Sequence, residues 1–279
     1  MDKDFWVSLA RNEYEIPAGH TLENLTEILF SYLGSTDPDL RDDIAYIVYA
    51  NWLKQGRYSS GDIRSHVERL SANLEKGIGE PASDTVFLRA FSVLLMAEIV
   101  HNDNRKPLLD AAQVKTILEK GIWYMGAEKD ARGHVPVKGW AHALAHTADL
   151  MLVLARNRHV DAADLWSMLS TISNQIIHAT HHIYIHGEDE RIANAVVEIL
   201  CRDALSLNQL EAWAKTFSRP DGTDWKGAYV EENRNRAYQN TRNLLRSMYL
   251  ALISQPEEFP DRDPSARLLL NTLDEIKRY

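Results

Sequence analysis

The chain has 279 residues, 45% hydrophobic and 25% charged, a balance that excludes a low-complexity, collagen-like or wholly disordered polypeptide. Its formal net charge of −9 lacks the basic footprint of a duplex-binding protein, so nucleic acid is an unlikely partner. The single cysteine, Cys201, excludes an intrachain disulfide framework and fits a reducing compartment.

The first residues, Met1-Asp2-Lys3-Asp4-Phe5-Trp6, lack the basic-then-apolar layout of a signal peptide, which predicts a soluble, cytoplasmic protein. Leu22, Leu25, Ile28, Leu29 and Leu33 follow the three-four spacing of one apolar helix face. Gly34 to Pro38 stops that helix and starts another, with Asp37 as N-cap and Pro38 in the first helical position. The next helix carries Ile44, Ile47, Val48, Trp52 and Leu53 and ends at Gly56, so the two form an antiparallel hairpin.

The scheme repeats. Ile63 to Leu74 pairs with Val86 to Val100, Ala111 to Met125 with Trp140 to Ala155, Ala162 to about Tyr184 with Arg191 to Leu205, and Leu207 to Phe217 with Ala237 to Ile253. A last helix, Ala266 to Ile276, closes the stack with one polar face. The stretch Val86 to Val100 is the most apolar, but it holds Arg89 and Glu98 and falls short of the roughly 20 residues of a membrane span, so no membrane is expected. Cys201 sits in an apolar helical run and reads as a buried structural thiol. Arg234, Arg236, Arg242 and Arg246, beside Glu231 and Glu232, read as a solvated mixed-charge face. The long connections Gly126 to Lys138 and Ser218 to Tyr229 are candidates for a role of their own, the second with Trp225 available to pack it down.

Helix-starting polar clusters thus return roughly every 45–55 residues, a helical-repeat spacing. The predicted fold is all-α, one continuous domain over residues 1–279, a right-handed α-α superhelix of about five HEAT-like helix pairs.

The sharpest local signal is Lys138-Gly139-Trp140-Ala141-His142-Ala143-Leu144-Ala145-His146-Thr147-Ala148-Asp149. On a helix, His142, His146 and Asp149 fall within about 60° of arc, with Trp140 on the opposite side. Two imidazoles four apart can chelate one metal, zinc being the natural candidate, if Asp103, His101, Asp130 or His134 completes the set. The small residues Ala141, Ala143 and Ala145 suggest instead a close helix seam with hydrogen-bonded histidines. His178, His182 and His186 share a face by the same rule and form a second candidate for a metal patch or a pH-sensitive surface. Arg89, amid apolar residues, needs a partner such as Asp42, Asp43, Glu98 or a bound anion. Second helices of a stack line one face, so Arg41, Asp43, Arg89, His142, His146 and Arg191 are expected along one concave strip; a ladder of salt bridges between repeats is the alternative. No nucleophile elbow, phosphate loop or dinucleotide fingerprint occurs.

Three stretches carry a resemblance: Asp39-Leu40-Arg41-Asp42-Asp43-Ile44-Ala45-Tyr46, Phe87-Leu88-Arg89-Ala90-Phe91-Ser92-Val93-Leu94 and Gly139-Trp140-Ala141-His142-Ala143-Leu144-Ala145-His146-Thr147-Ala148-Asp149-Leu150. Together they resemble the bacterial domain-of-unknown-function family 2785. The resemblance implies a bacterial helical protein and supplies no activity. The functional expectation is a binding or scaffold module for a protein or small-molecule ligand on the concave face. The alternatives are a metal-dependent hydrolase centred on His142, His146 and Asp149, or an α/α toroid enzyme in which the helix pairs close into a ring.

Overall fold

Side-chain caps set most of the helix starts. In the computed structural model, which describes residues 1–178 and 180–277, Ser59, Asp110, Asp161 and Ser206 each close a reciprocal capping box with the residue three positions on. These open α4 (Ser60–Asn73), α6 (Ala111–Ala127), α8 (Ala162–Ile177) and α10 (Leu207–Ser218). Asp2 and Thr21 cap α1 (Lys3–Arg11) and α2 (Leu22–Tyr32) more simply. Asp37 accepts the amide of Asp39, and the helix begins at Pro38, as the sequence predicts. The backbone then winds as a π-helix over Asp39–Tyr46 before α3 (Ile47–Lys54) continues it.

The remaining helices are α5 (Thr85–Arg105), α7 (Ala143–Ala155), α9 (Glu188–Cys201), α11 (Glu232–Ile253) and α12 (Arg262–Ile276). Among the described residues the fold is all-helical apart from one short hairpin, β1 (His134–Val135) with β2 (Gly139–Trp140). Alternate helices pack on one another. One row runs α3, α5, α7, α9, α11; the other runs α4, α6, α8, α10, α12. The rows are joined where α4 meets α5, α6 meets α7 and α8 meets α9, while α12 closes over both α10 and α11.

Helix α5 is the centre of this packing. Phe87, Val93, Leu95, Met96, Ile99 and Val100 have no accessible surface, and a fully buried Leu or Phe contributes about 2 kcal/mol relative to exposure. At 21 residues α5 is long and apolar enough to cross a membrane, yet 67% of its most apolar window is buried inside the fold. An all-round apolar helix packed on neighbours is a core helix. The small residues Ala141, Ala143 and Ala145 are all buried, and at the contact of α6 with α7 a Cβ at Gly121 would stand 2.9 Å from Leu150.

Four sequence expectations are corrected. Helix α8 stops at Ile177, and the described part of 178–187 is non-helical; Ala179, within the expected helix, lies outside the described residues. Buried Tyr184 pins this segment to α11 by donating its amide to Asn240, so His178, His182 and His186 share no helix face. Helix α7 begins at Ala143 rather than Trp140, because Gly139–Trp140 is spent on the hairpin. Cys201, at the last turn of α9, is exposed rather than buried. Helix α1 was not foreseen. Trp225 does what its sequence context suggested: fully buried, it donates its indole N–H to the Phe217 carbonyl at 2.8 Å and anchors the segment between α10 and α11.

Candidate functional site

The connection from α6 to α7 is fastened at its start by a closed ionic network. The Glu128 carboxylate accepts from Arg89 Nε at 2.6 Å and Nη2 at 3.0 Å, from the Tyr124 hydroxyl at 3.0 Å, and from the amides of Lys129 and Asp130. Arg89 Nη1 donates to the Lys76 carbonyl and the Thr85 hydroxyl. The partner of Arg89 is therefore Glu128, not Asp42, Asp43, Glu98 or an anion, and Arg89 belongs to this structural clamp. Arg132 completes the loop by pairing with Asp130 and donating to the Ser83 carbonyl.

The hairpin follows. Val137 (φ +68°) and Gly139 (φ +76°) turn the chain through the left-handed region. Gly139 is pressed on the π-helical segment: a Cβ there would stand 3.0 Å from Pro38 Cβ and 3.2 Å from Arg41 Nη2. Arg41 is fully buried and is the latch. It donates to the carbonyls of Ser35 at 2.7 Å and Lys138 at 2.9 Å and pairs with Asp42 at 2.9 Å. Its guanidinium lies over Phe87 and Phe91, 4.2 and 4.8 Å from the ring centroids, which leaves Nε against the rings without a polar partner.

His142 is the junction between hairpin and helix. Its backbone is left-handed (φ 51°, ψ 32°), held there by the amides of Ala141 and His142, which donate to the carbonyls of Gly133 and Arg132. Such a conformation in a non-glycine residue is a strained one that the surroundings must impose. The side chain stacks on Trp140 with ring centroids 4.3 Å apart, so Trp140 covers His142 instead of lying opposite it. His134 and His186 meet Trp140 edgewise at 4.9 and 5.6 Å. Gly133 makes room for this: a Cβ would stand 2.3 Å from His186 Nδ1. One turn into α7, His146 sits 5.8 Å from the His142 ring and 5.1 Å from Phe91.

Both histidines are buried, at 6% and 5% exposure. Burial, reinforced by Arg191 and His186, lowers the pKa of His142 to about 4. Burial, with His142, Arg191 and Arg41, lowers that of His146 to about 3. Each ring is thus neutral near pH 7 and carries one proton. His146 Nδ1 lies 3.1 Å from the Ala90 carbonyl, which can only accept, so the proton is on Nδ1 and Nε2 keeps its lone pair. The His142 ring faces the backbone carbonyl of His186, and its Nε2 is buried with no hydrogen-bond partner.

A row of half-buried polar groups continues from here across four elements. Arg191 of α9 pairs with Asp149 of α7 at 2.5 Å. Tyr46, ending the π-helix, reaches Glu98 of α5 at 3.5 Å. Burial and the charges of Glu98 and Asp149 push the Tyr46 phenol up to about 12, so the two pairs share one electrostatic neighbourhood. Asp149 is raised by burial, against the lowering effect of Arg191.

Of the residues expected along one strip, Arg41, His142, His146, Asp149 and Arg191 come together. Arg89 does not, and Asp43 is exposed, apart from this cluster. Among the described residues no group of three or more His, Cys, Asp or Glu is arranged to hold a metal ion, and the Asp149 carboxylate is engaged by Arg191. Sequence reasoning missed Tyr46, Glu98 and His186 as members of the strip and misplaced Trp140. The Pro136, Lys138-Gly139 pattern between His134-Val135 and Gly139-Trp140 was an available hairpin signal; nothing local marks the π-helix that turns Arg41 and Tyr46 inward.

No curated protein and no solved structure matches the chain. A family model, described as a protein of unknown function (DUF2785), matches residues 74–250. That span runs from the end of α4 to α11 and includes the hairpin, both central histidines, Glu98, Asp149 and Arg191. The chain belongs to the DUF2785 family of proteins of unknown function.

Proposed function

We propose that this protein is a ligand-recognition module: a HEAT-like α-α superhelix whose row α3, α5, α7, α9, α11 forms a concave face, with the strip from Trp140 to Arg191 and Tyr46 as its binding surface. The pairing of alternate helices supports the superhelix. The observation that carries the function is the pair of neutral histidines, one with a buried Nε2 that no protein group satisfies. Buried polar atoms are nearly always paired, so an orphan beside a strained backbone and a half-exposed indole supports a ligand at this place.

The test is a crystallographic fragment screen. Fragments collecting against Trp140 and His142 support the reading. Fragments found only elsewhere, for instance in the cleft of about 560 Å³ lined by Tyr32, Arg69, Asn73 and Lys76, overturn it.

A second reading is a metal-dependent hydrolase. His146, which donates Nδ1–H to the Ala90 carbonyl and presents Nε2, is oriented as metal ligands commonly are. It requires Asp149 to leave Arg191 or another donor to move in, and a zinc ion must then tolerate the nearby guanidiniums of Arg41 and Arg191. The first reading needs no such rearrangement.

A further inference from the structure

We infer that the strip takes a neutral polyhydroxylated ligand, a saccharide ring or short oligosaccharide, seated on Trp140 with its hydroxyls shared among Glu98, Asp149, Arg191 and Tyr46. This deepens the ligand-recognition reading and rests on it.

Charge comes first. Each guanidinium of the strip has its own carboxylate, Arg191 with Asp149 and Arg41 with Asp42. A bare cation meets two arginines; a bare anion meets Asp42, Glu98 and Asp149. The strip has much hydrogen-bonding capacity and little net charge, which suits a neutral polar ligand.

Hydrogen-bond polarity comes second. His142 Nε2 is buried beneath Trp140 with no hydrogen-bond partner, a polar group the fold leaves unsatisfied beside the strip. Glu98 accepts one long bond from Tyr46, at 3.5 Å, and has acceptor capacity to spare. Arg191 and Asp149, 39% and 31% exposed at their side chains, offer a donor and an acceptor side by side. Vicinal hydroxyls, which donate and accept at once, match such alternation, and a site built to bond hydroxyls discriminates strongly against analogues that lack them.

Shape comes third. Trp140 is 41% exposed while its indole is held by stacking on His142 and by the edges of His134 and His186. A rigid, half-exposed indole next to polar groups provides a flat apolar area at low entropic cost, against which the C–H face of a pyranose can pack.

Saturation-transfer NMR on the full chain decides it, with xylobiose, cellobiose, maltose and N,N′-diacetylchitobiose as probes and adenosine and benzoate as comparison ligands. The expected result is transfer to the ring C–H protons of at least one disaccharide. Binding should weaken about tenfold or more in Trp140→Ala, and also in Glu98→Gln, which keeps the shape. Trp140 lies on a surface hairpin, and circular dichroism confirms that the variant folds. Trp140-dependent binding of adenosine or benzoate with no disaccharide overturns the saccharide and leaves the ligand strip standing. No transfer to any probe, or transfer indifferent to Trp140, overturns both.

Discussion

Arg191 grips the carboxylate of Asp149 at 2.5 Å, joining the first turn of α9 to the middle of α7 across 42 positions of sequence. The pair couples two neighbouring helices at the strip, and under the proposed ligand-recognition reading it is expected to weigh more in recognition than in folding.

Asp149→Asn tests that division. Both side chains of the pair are about a third exposed, so solvent screens the interaction and the expected stability loss is below about 1 kcal/mol by urea denaturation. Ligand affinity at the strip, once a probe is in hand, falls far more. A loss of several kcal/mol in stability would make the pair a structural clamp instead.

Arg89 and Glu128 should behave in the opposite way. This bidentate pair is buried, at 0% and 8% side-chain exposure, and ties α5 to the end of α6. Arg89→Met leaves Glu128 with an unpaired buried charge, and breaking such a pair costs about 3–5 kcal/mol. In Arg89→Met/Glu128→Leu the loss should be clearly smaller than the sum of the single losses. Additive losses in a double-mutant cycle would show that the two groups do not act together.

Three histidines with lowered pKa values are expected to make the fold acid-labile. His66 and His142, each lowered to about 4, and His146, lowered to about 3, all owe the shift first to burial. An unfolded histidine titrates near 6.5, so between there and the folded values the unfolded state binds more protons. The stability these groups contribute is complete above about pH 6.5 and is lost as pH falls toward 4 and below, with His142 alone accounting for roughly 3 kcal/mol. His146→Phe should flatten the slope of stability against pH over this window. An unchanged slope would mean that His146 is not held neutral by the fold.

The helices were legible because their apolar positions recur at helical spacing and their starts carry polar caps: Leu22 to Leu33, and the clusters at Ser59, Asp110, Asp161 and Ser206, need no tertiary information. The strip was half legible. His142 and His146 do lie one turn apart, but the arc drawn for a helix from Trp140 fails because hairpin pairing outcompetes helix up to residue 140. His142 then enters α7 in a left-handed conformation that only the contacts of Gly133 and Arg132 enforce. Tyr46 and Glu98 are brought to the strip from two other helices, and Arg89 is withdrawn by Glu128, 39 positions away. Such long-range pairings leave no local trace.

Gly139→Ala should loosen the hairpin. The substitution combines a positive φ with a Cβ pressed on Pro38 and Arg41, and an expected cost of about 1–3 kcal/mol follows. Hydrogen exchange should accelerate at the amides of Lys138, Ala141 and His142, which are bonded within this loop. Unchanged protection there would show that the Arg41 latch tolerates the added methyl.

The most direct test of the strip is the protonation of its two histidines, read by long-range ¹H–¹⁵N correlation of the imidazole nitrogens in the full-length protein. Neutral rings at pH 6, with the His146 proton on Nδ1 and its lone pair on Nε2, and no titration of His142 until about pH 4, are the expected result. A His142 that is protonated at pH 6 would contradict the neutral histidine pair on which the proposed ligand site depends.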